Sequence, residues 1–308
     1  MSALRFDNRV AVITGSGRGL GRAYAELLAS LGARVVVNDV GGSLKGEGAD
    51  LGPAQEVVDA IKAAGGEAVA NTDSVATVEG GRAIIQSALD HFGRIDILIH
   101  NAGNVRRAPL REMSYDDFNA VLDVHLRGAF HVVREAFPRM CDQKYGRIVL
   151  TSSVSGLYGN KLVVNYATSK TGMIGLCNVA GLEGAEYGVK CNVIAPGAVT
   201  RMAEGLDTSV YPPMGPELVA PLVAWLSHEK CSVSGEILSA MAGRLSRLYL
   251  AETPGVYRPS WTVDDVDANI DAIRDTRRDQ WILPPVPTGQ PDHIRKSFEM
   301  ARAGGAGA

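Results

Sequence analysis

The sequence predicts an α/β fold: a doubly wound parallel sheet in a three-layer α/β/α arrangement, with a C-terminal helical extension. Two observations predict it. Short apolar, β-branched runs alternate with helical patterns up to about Leu226, which is the signature of strands returning through helices to one sheet. The first such run empties into a glycine turn that opens a helix. The 308-residue chain is read as one nucleotide-binding catalytic domain over residues 1–250, followed by an extension over residues 251–308.

The first strand is Arg9–Thr14, R-V-A-V-I-T, apolar enough for a strand buried on both faces. It runs into T-G-S-G-R-G-L-G, where Gly15, Gly17, Arg18, Gly19, Leu20 and Gly21 precede a helical pattern over Arg22–Leu31. Strand, glycine turn and helix form the context of a dinucleotide site: glycines let the backbone approach the pyrophosphate, and the helix N-terminus faces the phosphates. The next strand, Ala33–Asp39, ends in an acid 18 residues after Gly21. A carboxylate at about that distance bonds the ribose hydroxyls and repels a 2′-phosphate, favouring NAD over NADP. Arg18 argues the other way, since a guanidinium pairs well with that phosphate.

Tyr166 and Lys170 stand at i and i+4 in N-Y-A-T-S-K, on one face of a helix. A fixed cation near a phenol favours the phenolate, a base able to take a proton from an alcohol. The strand Gly146–Ser153 ends in hydroxyls 13 residues earlier. Ser153 would lie on the ligand edge of an open parallel sheet and could donate to a substrate oxygen.

These motifs, with N-A-G at Asn101–Gly103 and P-G-A-V-T at Pro196–Thr200, resemble the short-chain dehydrogenase/reductase superfamily, whose fold is Rossmann-like, over Arg5 to about Leu245. The resemblance implies that Ser153 orients the substrate, Tyr166 is the catalytic base, and Lys170 lowers the phenol pKa and holds the nicotinamide ribose. It implies that Asn101, Ala102 and Gly103 lie beside the adenosine ribose and that Asp73 and Ser74 flank the adenine. Pro196, Gly197, Val199 and Thr200 would cover the nicotinamide face and carboxamide. Further segments, V-V-V-N-D-V-G-G with the loop Gly41–Gly52, D-V-H-L-R-G-A-F, and P-E-L-V-A-P-L-V-A-W-L-S-H-E, are similar to one subgroup. That subgroup comprises the (3R)-hydroxyacyl-CoA dehydrogenase units of type 2 peroxisomal multifunctional enzymes.

The chain departs from the superfamily pattern at His125 and His100, each where an Asn is usual; neither is assigned a catalytic role. The lid segment Arg201–Pro216 is short and holds Tyr211-Pro212-Pro213, which leaves the substrate open. Arg106, Arg107 and Arg111 follow N-A-G and are either a solvated face or an anchor for the phosphates of CoA.

Net charge −3 provides no basic field for nucleic acid. The four cysteines, Cys141, Cys177, Cys191 and Cys231, are dispersed without metal-ligand spacing and read as small core residues in a reducing compartment, so no metal is expected. No apolar run approaches a membrane span or a signal-peptide core, and a cytoplasmic location is expected. In the tail, Thr262 and Asp265 make a capping box. Val263, Val266, Ile270 and Ile273 then form an apolar stripe, which would cover either its own subunit or a partner in a homodimer or homotetramer. Trp281 leads to an extended Pro-rich strap over Ile282–Pro291.

The expected activity is oxidation of a secondary alcohol on a bulky or CoA-linked small molecule with NAD as acceptor, with (3R)-hydroxyacyl-CoA favoured. A hydroxysteroid or other cyclic alcohol is the alternative substrate. A non-catalytic NAD-sensing protein on the same fold is the alternative class.

Overall fold

Strands β1 (Val10–Thr14), β4 (Ile97–His100) and β5 (Gly146–Thr151) are buried at every residue, which requires helices over both faces of the sheet they share. The computed structural model describes residues 4–43, 45–48, 50–200, 211–282 and 289–305. The chain divides into two compact units, Met1–Arg247 and Leu248–Ala308.

Chain order adds α1 (Gly19–Ser30), β2 (Arg34–Asn38), α2 (Gly52–Ala63), β3 (Glu67–Asn71) and α3 (Val78–Phe92) before β4. Next come α4 (Tyr115–Leu122), a π-helical turn (Asp123–Arg127) and α5 (Gly128–Asp142) before β5. Beyond β5 lie α6 (Val154–Tyr158), α7 (Val164–Gly184), β6 (Val189–Gly197), α8 (Ala220–Ser227), β7 (Ile237–Met241) and β8 (Arg244–Leu248). The sheet order is β3-β2-β1-β4-β5-β6-β7-β8, and β1 to β7 pair in parallel. The order reverses between β1 and β4, so the crevice at their carboxyl ends is where such a sheet takes its ligand.

Strand β8 is an addition to the parallel sheet expected from sequence. Its two-residue connection to β7 carries positive φ at both Ala242 (48°) and Gly243 (79°), the geometry of a type I′ hairpin, which makes β8 an antiparallel edge. Helix starts follow side-chain caps: Thr77 accepts from Gly80 N–H at α3, and Ser114 accepts from Asp117 N–H at α4. Cys177, Cys191 and Cys231 are buried as free thiols and Cys141 is partly exposed. No helix among the described residues is long and apolar enough to cross a membrane.

The second unit holds α9 (Val263–Ile273), started by the Thr262–Asp265 capping box, and α10 (Gly289–Gly305). No residue of α9 is buried, and Val263 is 85% exposed. Glu252 and Trp281 form an isolated antiparallel bridge. The strap expected over Ile282–Pro291 lies partly outside the described residues, and its end is corrected. Gly289, Gln290 and Pro291 belong to the first turn of α10, where proline loses no helical hydrogen bond.

Candidate active site

The glycine turn is shaped by what a side chain there would strike. Gly15 has φ +64°, and a Cβ on it would lie 2.7 Å from Ala102 Cα; one on Gly21 would lie 2.2 Å from Gly15 O. Only glycine lets β1 turn into α1 this tightly against β4. The N-A-G segment is tied to the same turn. Asn101 Nδ2 donates to Gly15 O at 2.9 Å, and Asn101 and Ala102 N–H both donate to Thr14 Oγ1 at 3.1 Å.

Asp39, at the end of β2, is held inside the loop. Its Oδ2 accepts Gly17 N–H and its Oδ1 accepts Gly41 N–H, each at 2.8 Å. Two fixed backbone donors aim the carboxylate across the glycine turn and leave its other lone pairs on the cleft. That cleft, of about 250 Å³, is lined by Gly15, Arg18, Gly19, Leu20, Asp39, Ser74, Asn101, Ala102, Gly103 and Thr200 from the expected cofactor set. Val40, Gly42, Ser43 and Gly46 wall it from the loop after β2, with Val75, Ala76, Asn104 and Val124 opposite. A glycine-floored cleft ending in a doubly anchored carboxylate fits a dinucleotide.

The other expected cofactor residues lie off this cleft. Gly17 and Gly21 shape the turn from behind. Asp73 is bound up with its neighbours: its carboxylate accepts Asn71 Nδ2 at 2.7 Å and its carbonyl accepts Asn38 Nδ2 at 2.9 Å. Pro196 and Gly197 end β6 in register with Ala240 and Met241. Val199 N–H donates to Met214 O at 2.7 Å. Most of the expected lid, residues 201–210, lies outside the described residues.

Ser153, Tyr166 and Lys170 come together where β5 ends and α7 begins. Ser153 is the N-cap of α6, accepting Ser155 N–H at 3.1 Å, and its hydroxyl acts on the Tyr166 phenol. Burial raises the Tyr166 pKa, and the Ser153 hydroxyl opposes that rise. Lys170 Nζ donates to Thr151 O at 2.7 Å and stands 5.4 Å from the Tyr166 ring centroid; burial pulls its pKa down to about 7.

Several residues that the motifs did not point to complete the site. Ser152, beside Ser153, donates to Lys170 O at 2.6 Å and fastens α7 to β5. Asn165 accepts Tyr166 N–H at 2.8 Å and donates from Nδ2 to Arg106 O and Asp117 O. His125 is buried with its ring edge-on to Tyr166, 5.2 Å between centroids. Ser152 and Asn165 carry no motif of their own, whereas His125 stood out in the sequence as a departure from the family's usual Asn and was given no catalytic role.

Arg106 is engaged rather than free for a ligand. It pairs with Asp117 at 2.9 Å and donates to Lys45 O at 3.2 Å, holding the loop after β2. Arg111 pairs with Glu112 on the surface. Two of the three clustered arginines are thus paired with carboxylates of this chain. Among the described residues, no group of His, Cys, Asp or Glu is arranged to hold a metal ion.

A parallel sheet with a glycine cleft at its switch point and a Ser–Tyr–Lys set beside it defines a nucleotide-dependent alcohol oxidoreductase. Residues 9–209 match the short chain dehydrogenase family, and the chain belongs to it. It is 48% identical over 274 residues to peroxisomal multifunctional enzyme type 2 of Drosophila melanogaster, covering 88% of this chain and 45% of that protein. To the peroxisomal hydratase-dehydrogenase-epimerase of Saccharomyces cerevisiae it is 46% identical over 258 residues, 83% of this chain and 28% of that protein. The chain thus spans less than half the length of these relatives. The crystal structure of a short chain dehydrogenase from Mycobacterium avium superposes with a TM-score of 0.77 at 38% identity, covering 87% of this chain and 95% of that one. The resemblance drawn from the sequence motifs is borne out, and the chain is an oxidoreductase of a family that uses NAD(P).

Proposed function

We propose that this chain is an NAD-dependent dehydrogenase of (3R)-hydroxyacyl thioesters, converting the 3-hydroxyl to a 3-ketone. The observation that carries the chemistry is the meeting of Ser153, Tyr166 and Lys170 at the carboxyl edge of the sheet, with the Ser153 hydroxyl favouring the Tyr166 phenolate. A substrate hydroxyl inserted there can donate its proton to Tyr166 while Ser153 donates to the same oxygen, so that departure of the proton is met by a fixed hydrogen bond. A bound nicotinamide supplies the hydride acceptor. Lys170, anchored on Thr151 O, offers further N–H bonds toward the site and helps hold a neighbouring ribose.

NAD is favoured by Asp39, whose two backbone anchors fix negative charge at the cleft wall. Arg18 lines the same cleft but has no ion pair among the described residues to fix its position. A bulky apolar substrate is supported by Leu110, Tyr158 and Leu162. These exposed residues sit on two segments joined by the Ala108 N–H to Leu162 O bond, one of them following Ser153 through α6. The acyl class is favoured by the subgroup motifs, and a dehydrogenase is named among the activities of the yeast relative.

The experiment is a screen of (3R)- and (3S)-hydroxyacyl-CoA and of hydroxysteroids with NAD and NADP, read as absorbance of the reduced nicotinamide. Turnover of (3R)-hydroxyacyl-CoA with NAD is expected. Turnover confined to steroids would redirect the substrate assignment.

A further inference from the structure

His125 has been given no catalytic or cofactor role above, yet its ring is clamped beside that of Tyr166. It is 1% exposed and lies in the π-helical turn Asp123–Arg127 between α4 and α5. Such a turn inserts a residue into a helix and re-aims the side chains on it. The ring Nε2 is 2.8 Å from Asn104 O and 3.1 Å from Asn104 N. Its Cε1 fills the hollow over Gly103, where a Cβ would lie 2.3 Å from it. The His125 carbonyl accepts from His100 Nε2 at 3.0 Å. The edge of this fixed ring meets the Tyr166 ring with the two planes 84° apart.

Proton transfer is not what His125 offers Tyr166. Burial, then the Lys170 ammonium, hold its pKa well below the ordinary imidazole value, so the ring is neutral near neutral pH. Its Nδ1 has no partner, and the hydroxyl that acts on the Tyr166 phenol is that of Ser153. What remains is an edge-to-face wall, an aromatic geometry with a defined direction. Without it the phenol would gain freedom to turn away from Ser153.

We propose that His125 is a positioning residue whose ring holds the Tyr166 phenol toward Ser153; this deepens the dehydrogenase reading and rests on Tyr166 as the base. A misplacement of about 1 Å at the reacting group costs roughly 100-fold in rate. Phenylalanine keeps the wall but gives up the Asn104 bond, so it separates the two contributions.

The test compares wild type, His125→Ala and His125→Phe by three readouts. They are kcat at saturation, NAD affinity by calorimetric titration, and the NMR signal of Tyr166 in protein carrying isotope-labelled tyrosine, assigned by its loss in Tyr166→Phe. His125→Ala is expected to lose about 100-fold in kcat, with NAD affinity within about threefold and the Tyr166 signal shifted or broadened. His125→Phe is expected to recover kcat to within about tenfold of wild type, with the Tyr166 signal near its native position. If His125→Ala does not fold, His125→Leu takes its place, filling the volume without a ring edge, and the same loss is expected. Full kcat in the ring-less variant, or a Tyr166 signal unmoved in all variants, overturns the proposal. A wild type that binds NAD but turns over no alcohol counts against the dehydrogenase reading, and the Tyr166 signal still decides the positioning role.

Discussion

The Thr14 hydroxyl donates to His100 Nδ1 across 3.1 Å, because its oxygen already accepts the N–H groups of Asn101 and Ala102. His100 must then carry its proton on Nε2, where it donates to the His125 carbonyl. One neutral imidazole thus ties β1, β4 and the π-helical turn together. Burial, aided by the Lys170 ammonium, pushes the His100 pKa down to about 3 from the ordinary 6.5.

A histidine depressed in this way makes the fold acid-labile. Between pH 6.5 and 3 the unfolded chain binds the proton that the folded chain refuses. Stability is therefore whole above pH 6.5 and falls toward pH 3 by about 1.4 kcal/mol per pH unit for such a group. Replacing His100 with Asn should flatten the urea-unfolding stability profile across that window. His125, shifted in the same direction, should leave a residual slope. A His100→Asn profile parallel to wild type would contradict the assignment.

Lys170 acts in the opposite pH range. Its folded pKa of about 7 lies below the ordinary 10.5, so the buried ammonium costs stability below pH 7 and that cost is relieved as pH rises toward 10.5. Lys170→Met should lose turnover yet abolish the gain in stability between pH 7 and 10.5. A variant that keeps the alkaline gain would place the titrating group elsewhere.

Asp39 makes a prediction about cofactor choice. Asp39→Ala removes the charge and both loop anchors, and should narrow the NAD over NADP preference in kcat/KM by about tenfold or more. Wild-type preference for NADP would mean that Arg18 outweighs the carboxylate.

Much of this site was legible because its parts recur at fixed sequence offsets. Gly15 to Gly21 and Asp39 could be placed by the strand–turn–helix pattern, and Tyr166 and Lys170 by helical periodicity. Other parts have no local signature. Asn104, Asn165 and His125 act through bonds to residues distant in sequence, and the antiparallel β8 depends on a two-residue turn. Periodicity gives Lys170 and Tyr166 a shared face, whereas the Lys170 bond to the Thr151 carbonyl is made across the fold and has no local signature.

The exposed trio Leu110, Tyr158 and Leu162 should govern chain length. Leu162→Asp places a charge where an acyl chain would lie, and should raise KM for long hydroxyacyl-CoA by about tenfold while leaving short substrates little changed. Equal effects on short and long substrates would remove this surface from the acyl path.

In the proposed reaction Tyr166 takes the proton from a hydroxyacyl substrate while NAD is reduced. The most direct measurement follows the absorbance of reduced nicotinamide with NAD and (3R)-hydroxyacyl-CoA, for wild type and Tyr166→Phe side by side, with NAD affinity titrated for both. Turnover by wild type is expected, with a loss of at least about 1,000-fold in the variant at nearly equal NAD affinity. A Tyr166→Phe enzyme retaining a tenth or more of wild-type kcat would contradict it.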